Sequence, residues 1–161
     1  MRCAVLFFVA FSLCIPNAEA QKKTSKNAWT FEKDADKISD STRCFFTSPL
    51  GGKLAISFQA RAVYLTSADM LALKDGGKLK VRVDKNPPIQ MDTRNVAPNI
   101  AAVTLTPLTD QLLDEMRKGK TLFARVASEV SVVEQEYRLL GAAAAIPMYR
   151  ACAEEVYKEK Q

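Results

Sequence analysis

Apolar and polar residues alternate most clearly in KLKVRVD, where Leu79, Val81 and Val83 fall on one side and Lys78, Lys80 and Arg82 on the other. A period of two is that of a strand with one face buried and the other in water. The same pattern predicts a strand at AWTFEKD, with Trp29 and Phe31 sharing a face. Another is expected at TRCFFTS, with Cys44 and Phe46 on one side and Phe45 on the other. Past the PLGG turn, KLAISFQARAVYL reads as one long strand or as two joined by a bend, and IAAVTL as a further strand. KTLFARVA and SVVEQEYRLL are the last two, expected as a hairpin or as neighbours. Pro87 and Pro88 break pairing, which leaves IQMDTRNVAPN irregular or a poor edge strand.

Helical signals are fewer. TSADMLALKDGG predicts a short helical turn that starts at Thr66 or Ser67 and stops at Gly76 and Gly77. TPLTDQLLDEMRKG has a capping Thr106, Pro107 in the first helical position, Asp110 near the positive end, and Arg117 and Lys118 before Gly119. Its expected buried stripe is Leu108, Leu112, Leu113 and Met116. The C-terminal segment is helical as well, either kinked at Pro147 or starting near Ile146 with the proline in its first turn. Ala145, Tyr149, Cys152 and Val156 then form one apolar stripe that aims Cys152 at the protein body. These elements predict a mostly β protein of about seven strands, with a connecting helix and a terminal helix laid on a sheet.

The first 20 residues change the picture by setting the compartment. Arg2 precedes an apolar stretch from Ala4 to Ile15, and Ala18-Glu19-Ala20 has the small-x-small pattern of a signal-peptidase site. A membrane span needs about 20 apolar residues, more than this stretch supplies. Cleavage after Ala20 would leave a chain starting at Gln21, a polar and basic lead over residues 21–27, and one domain over 28–161. The expected location is the periplasm, or outside the cell, with no integral membrane segment after cleavage.

Removal of Cys3 and Cys14 leaves Cys44 and Cys152, and two cysteines in an exported chain predict one disulfide. Closing a loop of roughly 100 residues contributes up to about 4–5 kcal/mol by chain entropy. No C-x-x-C pair points to a redox role. The chain has no histidine, and two thiolates do not complete a tetrahedral zinc site, so no metal and no cofactor is expected.

Composition is that of a globular protein, with 48% hydrophobic and 25% charged residues. The formal net charge of +5 suits contact with anionic surfaces such as lipid headgroups or cell-wall polymers. The basic residues are dispersed and the compartment is wrong for nucleic acid.

A tryptophan-led strand, a glycine-lysine strand, LLDEMRKGKTLFARV and EYRLLGAAAA, taken in order, resemble the invasion-associated locus B family of exported bacterial proteins. Members often have a mid-chain cysteine pair, whereas DTRNVAPNI has none and Cys152 stands in the terminal helix. The resemblance implies an immunoglobulin-like β-sandwich linked to the cell envelope or to host-cell entry, with no catalytic residues.

Candidate chemistry is sparse. Lys78, Lys80 and Arg82 form a strip that fits phosphate or carboxylate groups, or else a solvated face that discourages edge pairing. Lys118, Lys120 and Arg125 extend the strip only if the fold sets them beside it. Glu134 and Glu136 share a strand face and read as salt-bridging surface rather than an acid–base pair. Without histidine or a serine elbow, an enzyme is not expected. The expected function is an envelope or virulence-associated factor that binds a protein or an anionic envelope or host-cell component. The alternative is a small periplasmic inhibitor or chaperone-like module, with VDKNPPIQMDTRN as its presenting loop.

Overall fold

A computed structural model describes residues 27–36, 41–59, 62–74 and 76–158. The expected signal peptide and residues 21–26 of the expected lead lie outside the described residues.

The chain builds two antiparallel sheets. Strands β1 (Thr30–Asp36), β2 (Ser41–Thr47), β3 (Leu54–Gln59) and β4 (Ala62–Ser67) follow one another in the first sheet. β7 (Arg94–Ala97) and β8 (Ile100–Thr104) complete it in the order β1-β2-β3-β4-β8-β7. β5 (Lys78–Val83), β6 (Ile89–Asp92), β9 (Thr121–Ala127) and β10 (Val132–Arg138) form the second, ordered β10-β9-β5-β6. Helix α1 (Pro107–Lys118) links β8 to β9, and α2 (Ala142–Lys158) follows β10.

The mostly β sandwich with a connecting and a terminal helix is therefore the fold the chain adopts. Among the described residues it has ten strands rather than about seven. Two strands come from the long KLAISFQARAVYL run, and two more from IQMDTRNVAPN. That last segment has a broken pattern because it changes sheets at Thr93, whose backbone N–H donates to the Gly77 carbonyl at 2.9 Å. Residues before Thr93 pair with β5 and residues after it with β8, so no single alternation runs through.

Six strands are wider than four, and α2 covers part of the difference. It packs on β1, β2 and α1. Ala145, Tyr149, Cys152 and Val156 are all buried, as their spacing requires. The Cys44–Cys152 disulfide joins β2 to α2 across a sequence separation of 108, with Cα atoms 6.0 Å apart. Beside it lies an aromatic cluster: Phe46 is 4.9 Å from Trp29, 5.4 Å from Phe58 and 6.1 Å from Tyr149 between ring centroids. Trp29 also meets Tyr137 of the second sheet at 5.6 Å. The Tyr137 hydroxyl donates to the Leu54 carbonyl, and that of Tyr149 to the Gln59 carbonyl at 2.8 Å. Both phenols thereby satisfy carbonyls at the ends of β3, which burial would otherwise make costly.

Two local expectations are corrected. The short turn is a 3-10 helix, Met70–Leu73, capped by Asp69, because β4 extends through Ser67. In α1 the buried residues are Thr109, Leu112, Leu113 and Met116, while Leu108 is exposed. Thr109 starts the i, i+3, i+4, i+7 stripe with Leu112, Leu113 and Met116, and its Oγ1 accepts from the Thr106 backbone N–H at 3.2 Å, satisfying one of the free donors of the first turn. Of the two readings of the terminal helix, the one that carries Pro147 inside it holds, since α2 starts at Ala142 rather than near Ile146. Gly141, at φ 82°, supplies the left-handed residue on which the chain turns into that helix.

Candidate binding face

The outer face of the four-stranded sheet brings the predicted charged residues together. β5 is exposed at Lys78, Lys80 and Arg82 and buried at Leu79, Val81 and Val83. β9 runs antiparallel beside it with Phe123 and Arg125 outward, and β10 beyond presents Glu134 and Glu136. The pairing register arranges these side chains in rows. One row reads Glu134, Arg125, Lys80, Gln90. The next reads Glu136, Phe123, Arg82, and a third Val132, Ala127, Lys78, Asp92.

Lys80 thus has Arg125 on one side and Gln90 on the other. Neighbouring strands lie about 4.8 Å apart, and like charges directly opposite each other are destabilising. Arg125 is drawn the other way, with Nη1 3.6 Å from Glu134 Oε1. The Arg82 guanidinium lies over the Phe123 ring, 5.0 Å from its centroid, within range of a cation–π contact. Phe123 remains 36% exposed. Lys80, Arg82, Phe123, Arg125, Glu134 and Glu136 line a shallow groove of about 500 Å³, with Pro88 at its margin.

The strip and the glutamate pair were both placed on this face by alternation, and Glu134 acts as an ion-pair partner on the surface. Arg125 joins the strip. Lys118 does not, since it lines a separate groove with Asp84, Asn86 and Glu115. Lys120 precedes β9, where its backbone N–H donates to the Asp84 carboxylate at 3.1 Å. Phe123 was not singled out from sequence, although its place between buried Leu122 and Ala124 already turns it outward. The suggested presenting loop is mostly sheet, formed by the end of β5, β6 and the start of β7.

The sequence matches no protein-family model and no curated protein. Among solved structures, it is similar to invasion associated protein B from Bartonella henselae. The two chains share 16% identity over 78% of this chain and 94% of that one, with a TM-score of 0.54. What they share is the fold. The resemblance read from the order of strands and motifs holds at that level, and none of the groove residues takes a role from it. An internal disulfide is consistent with an exported protein. No helix among the described residues is long and apolar enough to cross a membrane.

Proposed function

We propose that the protein is an exported, non-catalytic binding factor of the bacterial envelope or of the host-cell surface. It engages an anionic partner through Lys78, Lys80 and Arg82, with Arg125 added to them. One observation carries this reading: Lys80 faces Arg125 directly across the β5–β9 ladder, in the middle of an exposed sheet face. A face selected only for solubility is better served by alternating signs, because an opposed like pair weakens the sheet. An anion seated between the two cations removes that penalty and gains charge-assisted hydrogen bonds. The fold likeness to an invasion-associated protein supports a role at the cell surface, and the net charge of +5 favours encounter with anionic partners.

The test is binding of the protein to anionic probes across a salt series, with and without the change of Lys78, Lys80 and Arg82 to glutamate. Exposed charges act over about 8–10 Å at physiological salt, so affinity should fall steeply as salt rises. The triple variant should not bind. Binding that ignores both salt and the triple change would remove the basic face from the function.

A further inference from the structure

We infer that the groove lined by Phe123 takes an acidic sugar unit of a polysaccharide, with its carboxylate between Lys80 and Arg125 and its ring on Phe123. This rests on the basic face being the contact surface and adds the chemical class of what it contacts. The volume of about 500 Å³ suits a single ring, since small-molecule sites run from about 300 to 1,000 Å³. Phe123 gives the lining an aromatic ring, with the Arg82 guanidinium 5.0 Å from its centroid. The positively polarised C–H face of a sugar packs on the negative face of such a ring.

The groove wall decides between a glycan and a lipid surface. Glu134 and Glu136 stand on the same face as the cations, and Asp92 lies at its other edge. A continuous anionic bilayer would press its headgroups against these carboxylates and be repelled. A uronic acid residue has one carboxylate and several hydroxyls. Ionised carboxylates accept hydrogen bonds and donate none, so Glu134 and Glu136 match hydroxyl donors. Cations on one side of the groove and acceptors on the other therefore fit a ring that is anionic at one end and hydroxylated at the other. Arg125 at 3.6 Å from Glu134 marks the boundary between the two sides.

Calorimetry with tetragalacturonate as probe tests this, alongside the neutral oligosaccharide maltotetraose and phosphatidylglycerol vesicles. Tetragalacturonate should bind and maltotetraose should not. Phe123→Ala and Phe123→Leu should each weaken tetragalacturonate binding about fivefold to tenfold, the worth of a lost aromatic face. The leucine variant keeps an apolar side chain on the strand, so the comparison holds even if the alanine variant folds poorly. Glu136→Ala gives opposite signs under the two explanations. Loss of a hydroxyl acceptor weakens sugar binding, whereas simple charge attraction strengthens when a carboxylate is removed. Tighter binding by Glu136→Ala, or indifference to both Phe123 changes, overturns the inference. Vesicle binding that is lost in the triple glutamate variant, with no tetragalacturonate binding, overturns the inference and leaves the anionic-surface reading standing. Failure of every anionic probe overturns both.

Discussion

Lys80 and Arg125 stand directly opposite each other on β5 and β9, two like charges in one rung of an exposed sheet. Such a pair lowers stability, and cross-strand pairs are worth about 0.2–1 kcal/mol. Lys80→Glu should therefore raise the unfolding free energy by a fraction of a kcal/mol while it weakens binding to anionic probes. Chemical denaturation of the two proteins at low salt measures the first effect. A destabilised Lys80→Glu protein would mean that the lysine is structural, and the binding face would lose its main support.

The disulfide should be the strongest single tie in the molecule. Cys44 and Cys152 are both buried, and the bond between them closes a sequence separation of 108. Chain entropy puts its worth at up to about 4–5 kcal/mol, and native domains usually realise less. Cys152→Ser, or reduction of the native protein, should lower the melting temperature clearly while circular dichroism still reports strands and helix. Equal melting temperatures for oxidised and reduced protein would show that α2 is held by packing alone.

Gly141 joins β10 to α2 in a conformation that other residues resist. Its φ is 82°, and a Cβ built there would lie 2.7 Å from the Trp29 carbonyl oxygen. Trp29 cannot easily withdraw, because its N–H donates to the Leu140 carbonyl at 2.8 Å and its ring is buried among Phe46, Phe58 and Tyr137. The left-handed backbone alone costs an alanine about 1–2 kcal/mol, and the clash adds to this. Gly141→Ala should lose at least that much in denaturant unfolding. A neutral substitution would mean that the Trp29 segment is free to move.

Tyr137 should make stability fall in alkali. Burial pushes its phenol well above the ordinary value of 10.0. Below that pH the hydroxyl is protonated in both states, and its bond to the Leu54 carbonyl counts fully. Above it the unfolded phenol ionises while the buried one keeps its proton, so the unfolded state gains and stability drops. Tyr137→Phe should cost about 1–3 kcal/mol at neutral pH, since it leaves a buried carbonyl unpaired. That deficit should shrink as the pH rises past ten. Urea unfolding of both proteins from neutral to alkaline pH follows it, and a constant deficit would contradict the assignment.

Whatever depends on neighbours in the chain was legible beforehand. Period two places Leu79, Val81 and Val83 inward and Lys78, Lys80 and Arg82 outward, because successive strand side chains point to opposite faces. The limits of α1 follow from Pro107 and Gly119, which act through their own backbones. The pairing of Cys44 with Cys152 was legible from the two cysteines that remain once the first 20 residues are read as a signal peptide. The first helical turn shows where this stops, since the buried stripe takes in Thr109 and leaves Leu108 exposed.

Which strands become neighbours was settled only by the folded chain. KLKVRVD is separated from KTLFARVA by three strands, a sheet change at Thr93 and a helix, and nothing local specifies that they pair. That pairing sets Arg125 beside Lys80 and Phe123 beside Arg82, and it turns two ordinary amphipathic strands into a groove. Along β5, alternation by itself determined which side chains face water. Sheet order, chosen by burial of the opposite faces in one core, decided which of them meet.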